Sequence, residues 1–350
     1  METGSVNIMK IIHGGDIYRN QVKIDFSVNI NPLGIPREVE EALHGAVRKC
    51  GEYPDIAAER LREAVSRMLS VPEEYLLFGN GASELFMAAV HGMKPKKTVI
   101  PVPSFYGYEY AAGAASENIL YYGTKRKNGF CLGEDFFEFL TEDVDLLFLA
   151  NPNNPTGNLM DREYLARLLE HCRKRGIYVV LDECFIEFCG EGHSALPQVS
   201  RFDNLVLIRA FTKIFAIPGV RLGYLVCGNR QLLKGMNRHL PEWNLSVFAQ
   251  AAGMACAKQD AYVAETADYV KEERFFLADG LKNLGFTVFD SMANFILFYT
   301  TWPLYKPLLE RGILIRDCSN FKGLSEGFYR VAVKSRKESE ILLKELGRLR

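Results

Sequence analysis

Arg209–Tyr224 reads R-A-F-T-K-I-F-A-I-P-G-V-R-L-G-Y, and the apolar run that leads into it, Leu205–Ile208, suits a buried strand. That strand delivers Thr212 and Lys213 into a turn. Pro218 and Gly219 then bend the chain, and Arg221 follows eight residues after the lysine. A lysine set among Phe211, Ile214, Phe215 and Ile217 is poorly solvated, which disfavours its charged form and lowers its pKa. A neutral amine is a nucleophile, and carbonyl chemistry through a Schiff base needs one. For a lone lysine the plainer reading is better: a surface side chain snorkelling beside a core strand.

Two upstream stretches converge on the same chemistry. Tyr178–Leu181 is a short apolar strand ending in Asp182, within V-V-L-D-E-C-F. Leu146–Ala150 is another, followed by N-P-N-N-P-T-G from Asn151 to Gly157. Parallel α/β sheets bind ligands beyond the carboxyl ends of their strands, where these residues fall. Asp182 suits a protonated ring nitrogen, Asn154 a phenolate oxygen and Arg221 a phosphate. Those are the handles of pyridoxal phosphate, which requires a Lys Schiff base and an acidic partner for its pyridinium.

At these residues the chain resembles the fold-type I pyridoxal-phosphate-dependent aminotransferases. The likeness is to the branch of histidinol-phosphate aminotransferases and threonine-phosphate decarboxylases. N-P-x-N-P-T-G, the strand-end D-E and T-K-x-x-x-x-P-G-x-R-x-G-Y are specific together and weak singly, and the resemblance covers nearly the whole chain. It implies an α/β fold of fold-type I, with a mainly parallel sheet in a large domain and a smaller α+β domain. The residues alone point the same way. Strand candidates Leu76–Phe78, Val99–Val102, Tyr121–Gly123 and Gly223–Cys227 join the three above, with helical stretches such as Arg162–Lys174 between several. Beyond about Leu240 the texture changes. Ala249–Lys258 and Tyr262–Leu284 read as helices, and Thr287–Phe289 and Asn294–Tyr299 begin a second α+β unit. The expected division is 1–40 as an N-terminal arm belonging to the smaller domain, 41–242 as the large cofactor domain, and 243–350 as the smaller one.

Composition sets outer bounds. An apolar share of 48% and a charged share of 24% are ordinary for a globular protein. A net charge of −1 gives no reason to expect nucleic acid or an anionic membrane as partner. The eight cysteines lack C-x-x-C spacing, and the closest pair, Cys184 and Cys189, lies near the proposed site. Neither a metal cluster nor a disulfide framework is indicated, so reduced thiols in the cytoplasm are expected. The start has no basic stretch followed by a long apolar run, and no segment approaches membrane-spanning length.

The resemblance assigns further roles. Gly81, Ala82 and Ser83, at a strand–turn–helix junction, join Thr212 and Arg221 in the cofactor phosphate cup, although such a junction alone would look the same. Phe105 matches the ring-stacking position, while Tyr106 and Tyr108 are expected as wall or core. Tyr53, in E-Y-P-D, matches a tyrosine that reaches the cofactor phosphate of the neighbouring subunit, which implies a homodimer. A strand candidate, Ile24–Val28, precedes N-I-N-P-L-G, Asn29 to Gly34. His13, Gly14 and Asn31, in H-G-G and S-x-N-I-N-P-L-G, match an arm that folds over the substrate. Arg316 and Arg330 each sit in apolar strand-like sequence, where a buried guanidinium needs an anion or an internal carboxylate. The resemblance makes Arg330 the α-carboxylate clamp and Arg316 the contact for the substrate's phosphate, with Asn154 also facing substrate.

The chain departs from histidinol-phosphate aminotransferases at Phe185, where those enzymes have a tyrosine that hydrogen-bonds the cofactor's phenolic oxygen. Threonine-phosphate decarboxylases also have phenylalanine there. Ala210 replaces a phosphate-binding hydroxyl, Ser246 an asparagine, and Lys334 stands where the decarboxylases tend to have arginine. Lys213 serves decarboxylation and transamination alike. H-G-G, N-I-N-P-L-G, D-E-x-F and R-D-C-S-N-F together decide for a threonine-phosphate decarboxylase, acting in cobalamin side-chain assembly. A histidinol-phosphate aminotransferase is the nearer alternative. A non-enzymatic ligand-binding module is the remote one, disfavoured because the cofactor residues are all present and no DNA-binding segment precedes His13.

Overall fold

The computed structural model describes residues 13–349. The first strand, β1 (Ile24–Asp25), is shorter than the expected Ile24–Val28. Ser27 donates from its backbone N–H and its hydroxyl to Asp25 Oδ1, at 2.7 and 2.6 Å, and this local turn competes with the ladder. Seven strands then build the large sheet: β2 (Leu76–Gly79), β3 (Lys97–Val102), β4 (Asn118–Gly123), β5 (Leu146–Ala150), β6 (Tyr178–Asp182), β7 (Leu205–Ala210) and β8 (Gly223–Val226). Their order is β2-β8-β7-β6-β5-β3-β4, and β8 alone runs against its neighbours.

Helices cover both faces, which is why the central strands are apolar at nearly every position. The first eight are α1 (Arg37–Ala46), α2 (Glu59–Leu69), α3 (Ala82–Met93), α4 (Tyr106–Ala112), α5 (Asp135–Phe139), α6 (Arg162–Lys174), α7 (Phe211–Ile214) and α8 (Arg230–Asn237). Alternate strand residues divide the core. Leu147, Val179, Leu181 and Leu207 face α6, whereas Phe148, Val180, Val206 and Ile208 face the side of α3, α4 and α8. Helix α6 shows the local logic. Asp161 caps it by accepting from the N–H groups of Glu163 and Tyr164, and Leu165, Leu168, Leu169 and Cys172 bury one stripe.

The chain continues through α9 (Val247–Cys256) and the long α10 (Asp260–Asn283). Strands β9 (Thr287–Val288) and β10 (Phe295–Tyr299), helix α11 (Tyr305–Glu310), strands β11 (Ile313–Leu314), β12 (Arg316–Asp317) and β13 (Phe328–Ala332), and α12 (Arg336–Arg348) follow. A four-stranded antiparallel sheet has the order β12-β13-β10-β9, while β11 pairs in parallel with β1 and so ties the arm to this region. Helix α9, expected with the smaller unit, packs on α1 and α2 and shares the core of the large sheet. Gly253 permits this, because a Cβ there would meet Leu61 at 2.5 Å and Leu222 at 2.7 Å.

Candidate active site

The carboxyl ends of β5, β6 and β7 open into a cavity of about 770 Å³, closed on its far side by β12, β13 and the arm. Lys213 enters it from α7, one turn after β7 ends. Phe211, Ile214, Phe215 and Ile217 are all buried around that turn. Burial pushes the Lys213 amine below its ordinary pKa, and the guanidiniums of Arg330 and Arg221 act in the same direction. Both effects shift Lys213 toward its neutral, nucleophilic form relative to a solvated lysine.

Asp182 ends β6 and is buried. Its Oδ1 accepts from the Cys184 N–H at 2.8 Å and its Oδ2 from the Tyr108 hydroxyl at 2.5 Å. Burial pushes this carboxyl up, and hydrogen bonds from the Cys184 thiol, the Tyr108 hydroxyl and the Cys184 N–H oppose the shift. Phe105 lines the opposite wall, and Gly107 lets its ring lie close, since a Cβ there would meet it at 2.3 Å.

One end of the cavity is built from the start of α3 and Arg221. Gly81 caps α3 with φ at 81°, and Ala82 and Ser83 line the cavity just inside it. A Cβ on Gly81 would meet Arg221 Nη2 at 2.4 Å, so only glycine admits the guanidinium there. Arg221 itself holds a left-handed φ of 59°, uncommon for a side chain of its size, with Nη1 donating to Pro218 O at 3.1 Å. Backbone N–H groups at a helix start, together with a guanidinium, make an anion cradle. Thr212 and Ala210 lie beside it.

Across β12 and β13, Arg316 and Arg330 are register partners, and both line the cavity. Arg330 donates from Nη1 to Asn154 Oδ1 and from Nη2 to Ser27 O at 2.9 Å, and its Nε has no partner among the described residues. Burial pushes the Arg330 guanidinium down to about 10. Arg316 donates from Nη2 to Asn320 Oδ1 at 2.8 Å and lies over the Phe321 ring. Two buried cations directly across a strand pair repel each other, and an anion in the cavity would offset that repulsion. His13 and Gly14 line the same end. Partial burial, then Arg316, Arg330 and Lys213, hold the His13 ring below its usual pKa, so it is a neutral hydrogen-bonding group at neutral pH.

Two assigned residues are elsewhere. Asn31 does not line the cavity, and its Nδ2 is bound among Ile214 O at 2.6 Å and Tyr262 Oη and Thr266 Oγ1 at 2.9 Å. Its backbone N–H also donates to Lys213 O at 3.1 Å, so Asn31 braces the lysine's turn from behind. Asn29, two residues earlier, takes the cavity position, with a buried Oδ1 that has no partner among the described residues. Tyr53 is 84% exposed, with its ring 5.3 Å from that of Trp243, and does not line this cavity. Phe185 lines the wall where a tyrosine hydroxyl was absent from the sequence. Ser246 caps α9, and Lys334 lies outside the cavity lining.

The profile of the family described as aminotransferase class I and II matches residues 21–346. The chain belongs to that family. It is 35% identical over 327 residues to a threonine-phosphate decarboxylase of Salmonella typhimurium, covering 92% of this chain and 90% of that one. The crystal structure of a histidinol-phosphate aminotransferase from Clostridium acetobutylicum superposes with a TM-score of 0.88 at 32% identity, over 93% of this chain and 98% of that one. That of an L-threonine-O-3-phosphate decarboxylase from Porphyromonas gingivalis gives 0.82 at 25% identity, over 92% and 98%. The family's cofactor is pyridoxal phosphate, and this chain is an enzyme of that family. The cavity fits the group. Lys213 would hold it covalently, Asp182 at the ring nitrogen, Asn154 at the phenolic oxygen, Phe105 at the ring face, and the Gly81 cradle with Arg221 at the phosphate.

Proposed function

We propose that this chain decarboxylates L-threonine O-3-phosphate to (R)-1-aminopropan-2-yl phosphate, as a homodimer in the cytoplasm, for cobalamin side-chain assembly. The observation that carries the reading is the register pairing of Arg316 with Arg330 inside the cavity. Two buried guanidiniums suit a small substrate carrying two anions, a carboxylate and a phosphate. Arg330, anchored on Asn154 and Ser27, orients the α-carboxylate next to the cofactor position. Arg316, with His13 and Asn29 on the same side, takes the phosphate. When bound, pyridoxal phosphate supplies an electron sink for charge developing at the substrate Cα. Asp182 would hold the proton on the ring nitrogen, and Lys213, after taking up a proton from the substrate amine or solvent, would deliver it to the Cα position that CO₂ leaves.

The likeness to two threonine-phosphate decarboxylases and the phenylalanine at position 185 favour loss of CO₂ over amino transfer. Histidinol phosphate has a phosphate but no carboxylate and would leave Arg330 to its partner oxo acid. For assembly, Tyr53, Ile56 and Trp243 form an exposed apolar patch beside α2, suited to a second copy whose cofactor phosphate Tyr53 would reach. The eight free thiols fit a reducing compartment. Incubating the protein and cofactor with threonine phosphate should release CO₂ and the aminopropanol phosphate without any oxo acid. Glutamate formed from 2-oxoglutarate and histidinol phosphate, with threonine phosphate untouched, would overturn the reading.

A further inference from the structure

Asp182 must be ionised and correctly turned to hold a proton on a ring nitrogen, yet it lies in a poor place for a carboxylate. It is buried, Glu183 follows it with no exposure, and burial is the largest influence on its titration. Among the described residues its oxygens are held by Cys184, through its N–H on Oδ1 and its thiol, and by the Tyr108 hydroxyl on Oδ2. The N–H is a backbone contact that any residue at position 184 except proline provides, and a thiol is a weak donor. The Tyr108 hydroxyl is the strong side-chain donor, and it comes from another element.

Tyr108 is unusually well fixed for that task. It is 1% exposed, its ring is stacked on Phe148 with centroids 5.4 Å apart, and Phe86 meets it edge-on at 5.2 Å. Its ring also meets the edge of Phe105 at 5.7 Å, so one side chain braces both the ring-facing wall and the acid. Burial, then the Asp182 charge, raise its pKa well above that of a free phenol, so the hydroxyl keeps its proton and remains a donor. A hydrogen bond from a buried donor to a charged acceptor is among the stronger kinds.

We infer that Tyr108 is a positioning residue for Asp182: its hydroxyl fixes the carboxylate's orientation, and so sets how firmly the protein holds the protonated ring nitrogen of pyridoxal phosphate. The inference rests on the cofactor and not on the choice of substrate, so it holds for decarboxylation and amino transfer alike. Tyr108→Phe removes the hydroxyl and leaves the ring packing in place. Apo-protein is titrated by absorbance and fluorescence with pyridoxal phosphate, and separately with the analogue in which carbon replaces the ring nitrogen. Tyr108→Phe should weaken the natural cofactor by about 10- to 100-fold and leave the affinity for the analogue unchanged. In an Asp182→Asn background, adding Tyr108→Phe should produce no further loss.

Equal weakening of both cofactors would show a packing role and overturn the proposal. Unchanged affinity for both would overturn it as well. If Tyr108→Phe proves too unstable to purify, Tyr108→His, which keeps a ring donor at that position, and Tyr108→Leu, which keeps none, are titrated with the two cofactors instead. Relative to the analogue, the natural cofactor must then be weakened more in the leucine variant than in the histidine variant, and equal ratios in the two would overturn the proposal. Wild-type protein that bound neither compound would overturn the cofactor assignment and the inference together.

Discussion

Replacing Arg316 by lysine keeps a positive charge at that end of the cavity and removes the planar fork that matches a phosphate. Arg316 already gives Nη2 to Asn320 and rests on Phe321, so its plane is fixed before substrate arrives. A lysine has no equivalent of that geometry. Leaving a charged group poorly paired in such a site costs on the order of 2–5 kcal/mol, or about 30- to several thousand-fold in kcat/KM. The loss should fall on one substrate. Steady-state kinetics with threonine phosphate and with unphosphorylated threonine should show Arg316→Lys narrowing the preference for the first. Arg330→Lys should weaken both about equally, because it breaks the bonds to Asn154 and Ser27 that aim the carboxylate clamp. If Arg316→Lys left the phosphate preference intact, the assignment of the two arginines would be wrong. Lys322, which lines the cavity, would be the next group to test, and Lys334, which does not, would be set aside.

Other expectations are independent of substrate. In apo-protein, the Lys213 amine should become reactive toward an acylating reagent at a midpoint below the ordinary 10.5, and Arg330→Met should move that midpoint upward. Because the folded pKa lies below the unfolded one, the unfolded chain binds more protons between them, so apo-protein stability should rise with pH through that window; Lys213→Met should flatten the rise in urea titrations. Asn31→Ala strands Ile214 O and Thr266 Oγ1 and should cost about 1–3 kcal/mol of stability, whereas Asn29→Ala should spare stability and raise the substrate KM. Tyr53→Phe, in a protein that sediments as a dimer, should weaken cofactor retention by roughly 1.5–3 kcal/mol, and a fully active monomer would contradict its role.

How far the site could be read in advance differs residue by residue. Lys213 was legible because its apolar neighbours are sequence neighbours, and burial of a four-residue turn follows from its own composition. Asp182 and Asn154 were legible because strand ends are where apolar runs stop. Asn29 and Asn31 were not separable. They stand two apart in N-I-N, and the arm's approach to α7 and α10, set by contacts more than 180 residues distant in sequence, decides which faces the cavity. The burial of Arg316 and Arg330 was legible from the apolar sequence around each. Their pairing was not, since the register of β12 on β13 depends on the loop between them. Tyr108 was expected as wall or core, and its packing does place it in the core. The missed feature is its hydroxyl, whose target lies on another strand. Helix α9 illustrates the same limit at the scale of the fold. Its apolar composition signals burial but not which sheet receives it, and the close approach at Gly253 to Leu61 and Leu222 decides that.

Threonine phosphate carrying deuterium at Cα separates the two candidate reactions in a single tube. Breaking the Cα–carboxylate bond releases CO₂ and takes one proton from solvent, while the bond to deuterium survives. Amino transfer must break that bond instead. With no oxo acid added, mass spectrometry should find aminopropanol phosphate retaining its deuterium, with one CO₂ evolved per molecule. Deuterium lost to solvent, the carboxylate retained, and turnover that requires 2-oxoglutarate would contradict decarboxylation and leave an aminotransferase in its place.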